Sequence, residues 1–313
     1  MPDNELRRMT DRRKDRLRDI VSRWVRSATL TSFLALALAA CGTAGGSMRP
    51  SSAYEGLNAT LWVQSAVEYR ALARQAYASA TRALARGRAD SSWTAALEQT
   101  GSVARLPPAV IVDVDETVLD NVRYQGRLLV DGASYAPDTW GAWVAERDAD
   151  AVPGAVEFAR AAAGDGVRVF YITNRDAPLE ADTRANLARL GFPVDADGVD
   201  VVLTRGERPE WGSDKSSRRA HVARTHRIVL LVGDDLGDFV ETGAALAERE
   251  AALARHEDRW GERWIVLPNP MYGSWERSLL EVAADTDPLR AKLGRIETGR
   301  PRDDPDGGAG PRR

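Results

Sequence analysis

Two aspartates two residues apart, Asp113 and Asp115, follow directly on the apolar run Ala109-Val110-Ile111-Val112. In an extended chain they face the same side, and carboxylates so close raise one another's pKa unless a cation intervenes. A hard divalent ion such as Mg²⁺, which takes oxygen ligands, meets that need. An acidic cap at a helix N-terminus explains the same pair when it is taken alone. A second acidic group, Asp234, Asp235 and Asp238, follows the run Ile228–Val232, with Gly233 and Gly237 free to turn tightly. Between the two lie Thr173-Asn174-Arg175, after Val167–Ile172, and Lys215, just ahead of a helical stretch. A hydroxyl and free backbone amides at a strand exit suit an oxyanion, although Thr-Asn is also an ordinary turn.

Lys215 stands out by rarity. Of the 43 basic residues only Lys14, Lys215 and Lys292 are lysines. Where Arg serves as the general cation, a compact ammonium at a helix start, against the helix dipole, is expected to face an anion. A plain solvated helix lysine is the alternative.

The remaining composition narrows the chemistry. The 313 residues are 43% hydrophobic and 28% charged, with a formal net charge of −3. That balance suits a globular domain and offers no bulk electrostatic reason to bind a nucleic acid polymer. One cysteine and three histidines (His221, His226, His256) exclude a disulfide framework and a Cys/His-rich metal site. The chemistry falls to carboxylates.

The elements that position these groups follow from the patterning. Short continuous apolar runs at 109–112, 167–172, 201–203, 228–232 and 264–267 predict strands buried on both faces. Helical stretches at 154–163, 180–190, 216–225 and 240–256 separate them, so the fold class is α/β with a mostly parallel, Rossmann-like sheet. Trp62, Ala66, Tyr69, Ala73, Ala76 and Ala80 predict one packing helix over 54–86. In such sheets ligands bind at the carboxyl ends of the strands, where all four polar groups fall.

The N-terminal fifty residues read differently. Nine Arg and Lys residues within 1–26 precede an uncharged stretch from Ser27 to Ala40, the layout of an export signal and too short to span a bilayer. Leu38-Ala39-Ala40-Cys41-Gly42 resembles a bacterial lipobox, which makes Cys41 the lipidated first residue of an exported, membrane-anchored protein. Residues 1–40 are then the signal, 41–53 a flexible tether, 54–297 the folded domain and 298–313 a disordered tail.

The order of the four polar groups resembles the motif order of the haloacid dehalogenase superfamily. Ile111-Val112-Asp113-Val114-Asp115-Glu116-Thr117-Val118-Leu119-Asp120-Asn121 and Val232-Gly233-Asp234-Asp235-Leu236-Gly237-Asp238-Phe239 are similar to the signatures of its class C acid phosphatases, which include lipoprotein 5′-nucleotidases. The resemblance covers about residues 54–285. It implies a Mg²⁺-dependent phosphomonoesterase in which Asp113 is the nucleophile and Asp115 the acid and then the base. Mg²⁺ would be held by the Asp113 carboxylate, the Asp115 carbonyl and Asp234, with Asp238 in support. Thr173, Asn174 and Lys215 would hold the phosphoryl oxygens. An acidic optimum follows if Asp115 must enter protonated. Asp235 departs from the family's usual Asn or Thr and either adds charge beside the metal or stands behind it.

The sixty residues from Asp113 to Thr173 exceed a minimal βαβ unit, and the surplus, about 122–152, is expected to form a small cap. Its Trp140, and Tyr272 beyond the last strand, could stack a nucleobase, as the resemblance to 5′-nucleotidases implies; ordinary packing explains aromatics equally well. A phosphate-binding lipoprotein without turnover, a receiver domain, and a sugar phosphatase or phosphotransferase of the same superfamily are the competing readings.

Overall fold

A computed structural model describes residues 54–194, 198–241, 245–280 and 288–297, which belong to one unit spanning residues 50–313. The signal, Cys41, the tether and the tail lie outside the described residues.

Five strands form one parallel sheet in the order β5-β4-β1-β6-β7: β1 Pro108–Val112, β4 Arg168–Asp176, β5 Val202–Arg205, β6 Arg227–Gly233 and β7 Trp264–Val266. Every residue of β6 is buried, and so are Ala109–Val112, as a sheet covered on both faces requires. The expected α/β alternation is present, with α5 Ala155–Gly164, α6 Glu180–Leu190, α7 Ser216–Ala223 and α8 Leu246–Arg255 as crossover helices. The last of these begins six residues later than its apolar pattern suggested.

The register brings the strand exits level. Val112 pairs with Tyr171 on one side and Val232 on the other, and the Asp113 amide donates to the Val232 carbonyl at 2.9 Å. Asp113, Thr173 and Asp234 therefore leave one edge of the sheet together.

Two further elements close over that edge. Between β1 and β4 the chain forms α3 Val122–Asp131 and α4 Pro137–Glu146, bracketed by the short antiparallel pair β2 Leu119–Asp120 and β3 Asp150–Ala151. Beyond β7, α9 Ser274–Leu280 and α10 Pro288–Leu293 follow.

The helix expected over 54–86 is two helices, α1 Leu57–Ser65 and α2 Val67–Ala89, parted at Ala66 by extended backbone (φ −72°, ψ 131°). The break lets α1 turn away and bury Val63 with Tyr69, Val122 and Met271. Helix α2 instead lies along the sheet, where Ala73, Ala80 and Ala83 are wholly buried. Its close approach requires Gly87, since a Cβ there would stand 2.9 Å from Trp93 and 3.2 Å from Val229. Lys292 of α10 pairs with Glu55 ahead of α1 and with Glu276 of α9, joining the two ends of the described chain.

Candidate active site

The buried strand β1 ends in Asp113, which is 7% exposed. Asp113, Asp234 and Asp238 each present a carboxylate oxygen within 4.8 Å of the others. Lys215, 6% exposed, donates from Nζ to Asp113 Oδ1 and, at 2.6 Å, to Asp238 Oδ1. Burial pushes the Asp113 carboxyl up to about 7, against the lowering by Lys215 and with further raising by Asp238 and Asp115. Burial, then Asp113 and Asp238, carry Asp234 well above the ordinary carboxylate range. Burial alone would lower Lys215, but Asp113 and Asp238 outweigh it and hold the ammonium charged.

Lys215 bonds two of the three carboxylates, and the raised pKa of Asp113 and Asp234 marks negative charge crowded beyond what one ammonium relieves. A hard dication fits that donor set in charge and in ligand type.

The acidic loop after β6 is built to present two of these groups. Asp234 accepts from Thr117 Oγ1 at 3.2 Å and from Asn269 Nδ2 at 2.8 Å, so β1 and the exit of β7 both hold it. Asp238 closes a short helical turn in a capping box with Asp235 and accepts from the Asp235 amide at 2.9 Å. Gly233 permits this fold-back, because a Cβ there would meet Asp238 Cβ at 2.5 Å.

Asp235 turns away from the cluster. It accepts from Gly237 N at 2.9 Å and from the amide and hydroxyl of Ser274, both at 2.6 Å. Burial would raise its pKa, yet these hydrogen bonds, led by Ser274, hold it below the usual range. Of its two expected placements it takes the one behind the acidic cluster, as a clamp to the segment that carries Tyr272.

Asp115 also stands apart from the three-carboxylate group by its side chain. Its Oδ1 accepts from Arg175 Nη2 at 2.7 Å and from Asn121 Nδ2 at 2.9 Å. Arg175 and Asn121 were not singled out by sequence. No local signal marks Arg175 among the chain's many arginines. The turn expected at 173–175 is in fact strand, β4 running on to Asp176, where it pairs with Arg205 of β5. Glu116, with left-handed backbone (φ 59°), accepts from the amide and side chain of Asn121 at 2.8 and 3.2 Å. Burial, then Asp115 and Asp234, raise its pKa far above the ordinary value. Tyr77 of α2 fixes the same turn by donating to the Thr117 carbonyl at 2.6 Å.

Thr173 and Asn174 are tied to the segment around Lys215, through Ser213 before it and Arg218 after it. Buried Arg218 donates to the Thr173 carbonyl and, at 2.7 Å, to Asn174 Oδ1, while Asn174 Nδ2 donates to the Ser213 carbonyl at 2.9 Å. Burial lowers Arg218 to about 10.

Of the aromatics, Trp140 lies in T-shaped contact with Tyr124 (5.1 Å) and under the Arg175 guanidinium (5.4 Å), next to Asp115. Tyr272 packs on the Val63–Tyr69–Val122–Met271 cluster. Tyr124 and Trp143 are 2% exposed, and Trp143 donates to Asn121 Oδ1 at 2.8 Å; these two are packing residues.

A parallel sheet with an aspartate pair at the central exit, a lysine, and an acidic loop on the neighbouring strand defines the haloacid dehalogenase-like class. The sequence pattern of the HAD superfamily, subfamily IIIB (acid phosphatase), matches residues 47–275, and the chain belongs to that family. The class C acid phosphatase of Bacillus anthracis is similar at 31% identity, covering 79% of this chain and 98% of that one, with a TM-score of 0.67. A tungstate-bound structure of that enzyme matches at 30% identity over the same shares, with a TM-score of 0.68. A stem 31 kDa glycoprotein of Glycine max is 27% identical over 165 residues, 52% of this chain and 58% of its own length. The match thus spans less than two thirds of that relative.

Proposed function

We propose that this chain hydrolyses phosphate monoesters through a phospho-Asp113 intermediate with Mg²⁺ as cofactor, and that nucleoside 5′-monophosphates are among its substrates. The observation that carries the reading is the position of Asp113: central, buried, neutralised by Lys215 and grouped with Asp234 and Asp238. The similar Bacillus anthracis enzyme has been described with tungstate, a tetrahedral oxyanion, bound, which supports a phosphoryl site in the same fold.

Asp113, Asp234 and Asp238 would hold the cation by their carboxylates and Asp115 by its carbonyl. When bound, the cation supplies positive charge to the carboxylates and the phosphoryl oxygens. Asp113 attacks phosphorus as the ester bond breaks, and the leaving oxygen takes the proton of Asp115. Asp115, now a carboxylate, then takes a proton from water as its oxygen attacks phosphorus. The bond to Asp113 breaks and phosphate leaves. Thr173, Asn174 and Lys215 orient the equatorial oxygens. Phosphoryl transfer relies mainly on such positioning and charge stabilisation, which must lower the barrier by about 20 kcal/mol.

The test is an aryl phosphate assay with and without EDTA, followed by a panel of nucleoside 5′-monophosphates and sugar phosphates. Activity lost with EDTA and restored by Mg²⁺, with nucleotides preferred, supports the reading; binding of phosphate without turnover overturns it. Asp113→Asn is expected to lose at least about a thousandfold in kcat and to trap no phosphoenzyme.

For the N-terminus we propose export and lipidation at Cys41. Cys41→Ser should release the protein from membranes and abolish labelling by a fatty acid. Among the described residues no helix is long and apolar enough to cross a membrane.

A further inference from the structure

Arg175 is 2% exposed and sits at the end of β4 with every nitrogen engaged. Nε and Nη2 reach Asp115 Oδ1 at 3.0 and 2.7 Å, and Nη1 donates to Thr183 Oγ1 at 3.1 Å. The Thr183 hydroxyl in turn donates to the Leu179 carbonyl at 2.8 Å, which fixes the direction of its free lone pair. Asn121 adds a third donor to Asp115 Oδ1 at 2.9 Å and is itself held by Trp143. Three donors thus converge on Oδ1. Among the described residues Oδ2 receives only the Arg175 Nε contact at 3.3 Å.

This asymmetry has a chemical meaning. An oxygen that accepts three hydrogen bonds is a poor place for a proton, whereas its partner on the same carboxyl is free to carry one. The planar guanidinium fork also fixes the carboxyl plane, which a lysine ammonium would not.

We propose that Arg175 is a positioning residue: it turns Asp115 so that Oδ2 holds the transferable proton and faces the leaving oxygen. The proposal rests on the reading of Asp115 as acid and base given above. Arg175 itself exchanges no proton and makes no bond. Its work is to keep Oδ1 occupied and Oδ2 aimed, while Asp115 Oδ2–H breaks as the alcohol O–H forms and the ester P–O bond is cleaved.

The signature of a positioned acid is leaving-group dependence. A dinitrophenolate departs without a proton; an alkoxide does not. The quantity to measure is kcat/KM, which reports on steps up to ester cleavage, for dinitrophenyl phosphate and an alkyl phosphate, on the wild type, Arg175→Lys and Arg175→Gln. General acid catalysis contributes about 10²- to 10⁴-fold, so in both variants kcat/KM for the alkyl ester should fall about a hundredfold or more and for the dinitrophenyl ester less than about tenfold. An equal fall on both esters, in variants whose thermal melts match the wild type, would overturn the proposal and leave Arg175 a structural residue. Full rescue by Arg175→Lys would also overturn it, since charge alone would then suffice.

Asp115→Asn serves as the control. If it lacks the leaving-group signature, the acid role of Asp115 fails, whatever Arg175 does; if wild type hydrolyses neither ester, the phosphatase reading fails. Should the Arg175 variants not fold, Thr183→Val removes the Nη1 acceptor, and with it the bond to the Leu179 carbonyl, in a side chain of nearly equal shape. It is expected to show the same selectivity at smaller size, and equal kcat/KM changes on both esters would count against the proposal.

Discussion

Lys215 Nζ donates to Asp238 Oδ1 at 2.6 Å, joining the head of α7 to the loop after β6 while the same ammonium holds Asp113 at the end of β1. One side chain thus bridges two strand exits. Breaking a buried ion pair from one side leaves its partner unpaired and costs about 3–5 kcal/mol. Lys215→Met is therefore expected to lower the unfolding free energy by about 3 kcal/mol, read from urea melts without added metal. A variant as stable as the wild type would show the carboxylates to be satisfied by other means.

The acidic cluster predicts stabilisation by a dication. Mg²⁺ at a hundredfold its dissociation constant should add about 2.7 kcal/mol to the folded state, visible as a rise in Tm that EDTA reverses. Asp234→Asn should abolish most of that rise, since it removes one of the three clustered carboxylates. An unchanged Mg²⁺ response in that variant would remove Asp234 from the ligand set.

Gly233→Ala should be inactive although only a methyl group is added. Its Cβ would stand 2.5 Å from Asp238 Cβ and closer still to the carboxylate, so Asp238 must leave Lys215. A loss of about a hundredfold in activity, well above what a small change in stability would produce, is the expected outcome. Wild-type rates would mean that the loop relaxes freely.

Two sets of groups act in opposite directions in mild acid: the raised carboxyls of Asp113, Asp234 and Glu116 favour the folded state as pH falls, and the histidines oppose it. Burial, followed by the charge of Arg168, holds His226 below its ordinary 6.5, so the folded state favours neutral imidazole. The unfolded chain takes up a proton below about 6.5 that the folded chain resists. This stability is complete above that pH and is lost as pH falls toward the depressed folded value. His221 and His256 are lowered too, again chiefly by burial. In melts from pH 7 to 5, His226→Phe, which keeps a ring edge against Phe170, should gain stability relative to the wild type as the pH falls. An identical slope in that variant would dismiss His226 as a contributor.

What could be read from residue order alone was whatever composition made conspicuous. Continuous apolar runs announced the strands because few other elements bury both faces, and Lys215 was visible because lysine is rare here. Arg175 was hidden for the opposite reason. Among some forty arginines, one with a half-buried partner sixty residues away carries no local mark. Asp234 and Asp235 are chemically identical neighbours, and only the fold decides that one joins the cluster and the other binds Ser274. The break at Ala66 was equally silent, since alanine is the best helix former; packing of Val63 against Met271, far along the chain, imposes it.

The left-handed backbone at Glu116 has a practical corollary for anyone wishing to harden this protein against heat. A non-glycine residue in that conformation costs about 1 kcal/mol or more, so glycine at 116 is an obvious stabilising substitution by backbone criteria. It would also delete the carboxyl that seats Asn121, and with it one of the supports of Asp115. Ruggedness and turnover are set against each other at this single turn, and a screen that rewards only thermal tolerance would select the impaired enzyme.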